Sequence, residues 1–129
     1  MNLNNGIISK SSPYSVTETI ARLEAVLQAK GIAIFIRIDQ QAEAEKVGLS
    51  LRPTQLLLFG NPKAGTPLMV IEPTIALDLP LKALAWEASD GKVWLSYNDP
   101  NYLKQRFLLS DELVKNIAVI APLIKQTLT

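Results

Sequence analysis

Two residue types that carry much of enzyme chemistry are missing from this chain of 129 residues, which has neither cysteine nor histidine. Without cysteine there is no thiol nucleophile, no disulfide and no thiolate metal site. Without histidine the chain lacks the side chain most used for proton transfer near neutral pH and the commonest transition-metal ligand. Ser-His-Asp, Cys-His and histidine-metal chemistry are therefore excluded within one chain. Charge of one sign is also scarce: the net charge is +1, and no block of like charges stands out. Nucleic-acid readers usually carry a marked basic excess, so no nucleic-acid partner is expected. Long apolar runs are absent too. The run Ile117–Ile124 is interrupted by Pro122 and falls far short of the roughly 20 residues that span a bilayer. The start, MNLNNGIISK, has neither a basic segment nor an extended apolar one, so no signal peptide is read. The expectation is a cytoplasmic protein without membrane contact.

What is present suits a globular protein. Apolar residues make up 48% of the chain and charged residues 19%, and this length can bury a core without metal or disulfide support. We expect a single domain over residues 1–129, with no cofactor and no metal. The chemistry that remains belongs to carboxylates, Lys, Arg, Tyr, Ser, Thr and backbone amides.

The apolar spacing sets out the elements. Gly6 to Ser12 can form a first strand. Ser15 and Glu18 make a capping box, and Val16, Ile20, Leu23 and Leu27 follow at helical spacing, with Gly31 as a left-handed stop. This predicts a helix over 16–30. In IAIFIRID, Ile32, Ile34, Ile36 and Ile38 alternate with Ala33, Phe35 and Arg37, which predicts a strand with the four isoleucines on one face. QAEAEKVG is a short helix ending at Gly48, and Pro53 resets the chain for a strand over 54–59. Asp90-Gly91 is a hairpin turn between alternating strands, across which Trp86 and Trp94 face each other or the core. A short helix around Tyr102 to Arg106 precedes a last helix, about 111–128, capped by Ser110. Leu113, Ile117, Ile120 and Ile124 form its stripe, and Pro122 is expected to kink or interrupt it. Strands and helices are partly segregated, so the class is α+β with an antiparallel sheet covered on one face.

The segment LLLFGNPKAGTPLMV holds the main functional ambiguity. Gly60 and Gly65 have the spacing of a P-loop, but Thr66 and Pro67 stand where that loop needs Lys and a hydroxyl. The better reading is strand, glycine-permitted corner, and a helix capped by Thr66 with Pro67 in its first position. Such a helix start could still offer amides to an anion. Asp39, at a strand end, reads as the cap of the next helical turn or as a pocket carboxylate. Asp78, between leucines, reads equally as a turn cap or as a desolvated functional group. Tyr97, Asn98, Asp99 and Tyr102 crowd another strand end, where an Asx turn before Pro100 is favoured.

The blocks IDQ, LRPTQLLLFGNPKAGTPLM, ALDLPLKALAWE and GKVWLSYNDPNYL closely resemble the bacterial and archaeal family known as domain of unknown function 302, over about residues 14–107. The resemblance implies a β-α-β(4)-α fold of the TATA-box-binding-protein-like arrangement: a curved antiparallel sheet covered on one face by two main helices. It also implies homodimers, and no established activity. Family members commonly carry histidine at the positions of Gln40 and Phe107 here, so any imidazole-based role of relatives is not expected in this chain.

Three readings follow. The first is a homodimeric binding or interaction module, with a small polar or anionic ligand held by Asp39, Thr54, Asn61, Thr66, Asp78 and Tyr97. The second is an enzyme using carboxylate or tyrosine acid–base chemistry, with Asp39 or Asp78 as base. The third is a purely structural dimer. Val119 and Leu123, off the main stripe of the last helix, suggest where copies meet.

Overall fold

A computed structural model describes residues 5–129; residues 1–4, part of the segment read for a leader, lie outside it. Five strands, β1 (Ile7–Ser12), β2 (Ala33–Asp39), β3 (Thr54–Gly60), β4 (Leu81–Glu87) and β5 (Val93–Asn98), are accompanied by six α-helices among the described residues. These are α1 (Val16–Ala29), α2 (Gln40–Lys46), α3 (Pro62–Ile71), α4 (Pro100–Arg106), α5 (Asp111–Ala118) and α6 (Ile120–Leu128), with a 3-10 turn at Pro73–Leu77. The sheet order is β1-β5-β4-β3-β2, with every neighbouring pair antiparallel. The fold is α+β, as the sequence implies.

Local chemistry explains most of the boundaries. The Ser15 hydroxyl accepts from the Glu18 amide at 3.1 Å, and Gly31 ends α1 at a φ of 70°. Gly91 takes a φ of 85° in the β4–β5 turn. Ser110 caps α5 by accepting from the Leu113 amide at 3.2 Å. The last helix is broken at Val119 into α5 and α6, three residues before Pro122. A proline there has no amide to give the Ala118 carbonyl and crowds it. Gly6, at a φ of 78°, lies so close to the Tyr102 ring that a Cβ would run into it.

Helix α1 lies on the sheet and α6 packs against α1. Val16, Ile20, Leu23 and Leu27 of α1 are buried against Leu57 and Phe59 of β3, Ala83 and Ala85 of β4, and Leu95 and Tyr97 of β5. The small alanines of β4 leave room for the helix. Arg37 reaches from β2 to Glu24 of α1 at 2.9 Å and to Gln55 at 2.9 Å, tying the helix to this side.

The strict alternation expected in IAIFIRID fails in the middle. The β2–β3 register shifts between Ile34 and Ile36: Ile34 pairs with Phe59 and Ile36 with Leu58, so one extra residue of β2 is accommodated. A bulge of this kind reverses the facing of everything beyond it. Ile32 and Ile34 pack on the core, whereas Ile36 pairs with Leu58 and Ile38 with Leu56 on the other side of the sheet.

That other side is mostly apolar and only partly covered, with Lys82 opposite Leu58 and Thr54 opposite Trp86. It carries Ile36 and Ile38 of β2, Leu56 and Leu58 of β3, Leu84 and Trp86 of β4, and Trp94 of β5. None of these is buried, and none packs against the core. Trp86 and Trp94 do stand opposite each other, as expected, but on this open face rather than in the core. The Trp86 Nε1–H donates to Ser96 Oγ at 2.9 Å, and Ser96 Oγ shares a hydrogen bond with Ser9 Oγ at 2.7 Å.

Candidate functional site

Asn61 governs the corner after β3. Its side-chain oxygen accepts from the Lys63 amide at 3.0 Å, and its carbonyl accepts from the Ala64 and Gly65 amides, both at 2.9 Å. Pro62 occupies the first helical position, where a missing N–H costs nothing. Helix α3 therefore starts four residues before the expected cap: Thr66 is helical, and Pro67 lies inside the helix. The sequence holds two cap-proline pairs, Asn61-Pro62 and Thr66-Pro67, and the first wins because it directly follows the strand. Pro67 is tolerated since the carbonyl it cannot serve is that of exposed Lys63, open to water. Neither Gly60 nor Gly65 takes a positive φ; Gly60 is the last residue of β3 and Gly65 is helical, so the corner does not rely on their freedom. The first free amides of α3 are engaged internally, which leaves little for an anion.

What the corner does create is a hollow of about 220 Å3. Its walls are Met69 of α3, Phe35 at the β2 bulge, the Leu79–Pro80–Leu81 segment and Ile117 of α5. The Leu79–Pro80 peptide is cis. Asn116 fastens α5 to α3 by donating from Nδ2 to the Ala64 carbonyl at 2.9 Å. Asn61, Thr66 and Asn116 are the polar side chains in the lining. Apolar walls with a few polar groups describe a small-molecule site. Apolar cavities of roughly 150 Å3 hold a molecule the size of benzene.

The six residues named from the sequence do not converge. Asn61 and Thr66 line this hollow. Asp39 caps α2, its Oδ1 accepting from the Ala42 amide at 3.0 Å. Thr54 begins β3 and donates to the Arg52 carbonyl at 2.9 Å. Asp78 follows the 3-10 turn and pairs with Arg106 at 3.2 Å. That contact lacks hydrogen-bond alignment, so Asp78 Oδ2 is buried with charge compensation but no bonded partner. Asp99 caps α4 through the Asn101 amide at 2.9 Å, the Asx arrangement expected before Pro100. Tyr97 lines a separate recess between β1 and α6. Burial, and secondarily the charge of Asp99, raise its phenol above the ordinary tyrosine range. Phe35, Met69, Leu79 and Asn116 were missed in the sequence reading; the bulge that places Phe35 and the docking of α5 are long-range features with no local signature. Among the described residues no cluster of three or more Asp or Glu could hold a metal ion.

Comparison with known proteins places this geometry in a family. The chain is 47% identical over 116 residues to the "Fluoride-specific ion channel FluC 1" of Brucella suis biovar 1 (strain 1330), an alignment covering 88% of this chain and 46% of that protein. It is equally 47% identical to the "Fluoride-specific ion channel FluC 2" of Brucella melitensis biotype 1, covering 88% of this chain and 43% of that protein. The chain thus spans less than half the length of these curated relatives. Among the described residues no helix is long and apolar enough to cross a membrane. The crystal structure of an uncharacterized conserved DUF302 protein from Bacillus stearothermophilus superposes with a TM-score of 0.78 at 19% identity, covering 96% of each chain. The sequence profile described as "Domain of unknown function DUF302" matches residues 8–126, extending the expected core through the last helix, and the chain belongs to that family.

Proposed function

We propose that this domain is a homodimeric interaction module whose copies pair through the open face of the sheet. The observation that carries the reading is the partly exposed apolar surface of β2–β5. LLLF in β3 is a continuous apolar run, the pattern of a strand buried on both sides. Within one copy only Leu57 and Phe59 of that run are buried, and a second sheet would cover Leu56 and Leu58. Aligned sheets pack face to face about 10 Å apart by interdigitating such side chains. The four strands β2–β5, each roughly 20 Å long and spaced about 4.8 Å, give a face of about 400 Å2, so two faces remove about 800 Å2 from water, the scale of a weak, reversible pairing rather than an obligate one. Leu123 does not contribute to a dimer surface as the sequence suggested: it is 1% exposed and belongs to the core, leaving Val119, 42% exposed, alone on that helix.

Sedimentation equilibrium at micromolar concentration tests this reading. The native chain is expected to run as a dimer. Leu84→Lys, which puts a charge between Leu56 and Ser96 on the open face, is expected to run as a monomer with unchanged circular dichroism. A native monomer, or a variant that still dimerises fully, overturns the proposal.

The relatives named as fluoride channels bear on the setting. The segment they share with this chain is the α+β domain, and we place it beside an ion path rather than within one. A second reading, small-ligand binding, is favoured by the hollow at α3. A side chain added at Gly65 would start at 3.8 Å from Leu79 and Met69, so Gly65→Leu can fill the hollow without backbone strain. Saturation-transfer NMR is expected to show benzene contacting the native protein and losing contact in Gly65→Leu; equal transfer in both, or none in either, removes this reading.

A further inference from the structure

A recess distinct from the α3 hollow lies between the sheet's edge strand β1 and helix α6, with a volume of about 750 Å3, within the range of small-molecule sites. Tyr97 contributes to its lining. It stands opposite Ile8 of β1, and Lys10, opposite Leu95, rises from the same side of the sheet. The other wall is one stripe of α6, Ala121, Ile124, Lys125 and Leu128, at the spacing that shares a helix face.

Two features suit an anionic head group. The Tyr97 hydroxyl has no hydrogen-bond partner among the described residues and is not one of their buried unpaired atoms, so it is an open donor at the recess wall. Lys10 and Lys125 flank the recess without ion-pair or hydrogen-bond partners among the described residues, and no Asp or Glu side chain lines it. Thr129 closes one end, its carbonyl oxygen held by Arg22 at 2.9 Å and Tyr14 at 3.2 Å.

We propose that this recess binds a carboxylate-headed amphiphile of the fatty-acid type. The carboxylate sits between the Lys10 and Lys125 ammonium groups and accepts a hydrogen bond from the Tyr97 hydroxyl, while the apolar body lies along Ala121, Pro122 and Leu128. Charge-assisted bonds of this kind are the stronger class, and the lysine stems can cover the chain while their heads meet the carboxylate.

Isothermal titration calorimetry with decanoate, decanol and acetate separates the contributions of head and body. Decanoate is expected to bind saturably and more tightly than either decanol or acetate. Lys10→Gln combined with Lys125→Gln is expected to weaken decanoate about tenfold or more and leave decanol unchanged. Tyr97→Phe is expected to weaken decanoate only. Gly65→Leu, which fills the other hollow, is expected to change nothing, so failure of the α3 site and failure of this one are distinguishable. Equal affinity for decanoate and decanol, full decanoate affinity in the double lysine variant, or no saturable binding overturns the proposal.

Discussion

Tyr97 shows how one residue serves fold and chemistry together. Its ring is part of the core and its hydroxyl faces a recess, so its environment favours the neutral phenol. Burial first, and then Asp99, raise its pKa in the folded chain, whereas the unfolded chain keeps the ordinary value near about 10. Below that value the hydroxyl is protonated in both states and stability does not depend on it. As pH climbs from about 10 toward the elevated folded value, the unfolded state loses its proton first, and stability falls. Urea denaturation between neutral pH and strongly alkaline pH is expected to show this decline, and Tyr97→Phe is expected to make it shallower. An identical slope in the variant would show that Tyr97 titrates normally.

Elements differ in how far the sequence determines them. Helix α1 was legible in full because cap, stripe and stop all lie within its own residues. The β4–β5 hairpin was legible for the same reason: Asp90-Gly91 needs no distant partner. Helix α3 was misplaced because two cap-proline pairs compete, and the choice depends on where β3 ends. Asn61→Ala is expected to cost about 1 kcal/mol in thermal or urea unfolding, the usual worth of an N-cap, whereas Thr66→Ala is expected to cost much less. The reverse ranking would restore Thr66 as the cap. The β2 bulge was not legible either: its cause is the pairing of Ile34 and Ile36 with consecutive residues of β3, which no local periodicity encodes.

At the scale of the whole molecule, composition excluded imidazole and thiol chemistry, and the motif blocks identified the family and its α+β order. The candidate site was only partly legible. Asn61 and Thr66 reach the hollow, but Asp39 and Asp78 are occupied with a helix cap and an ion pair. Residues chosen for their chemistry were drawn together in the reading by sequence motifs, whereas the cavities are drawn by packing between distant elements. The open sheet face was not legible because Leu56–Phe59 and the hairpin tryptophans look like ordinary core in sequence, and only the fold leaves half of that apolar surface outside the core. Both tryptophans of the chain, Trp86 and Trp94, lie on that face, so their fluorescence reports on it directly. Iodide quenching, compared between the native chain and Leu84→Lys at the same micromolar concentration, is the sharpest check. The pairing of sheets predicts shielded tryptophans in the native chain and strongly quenched ones in the variant, and equal, efficient quenching in both would contradict it.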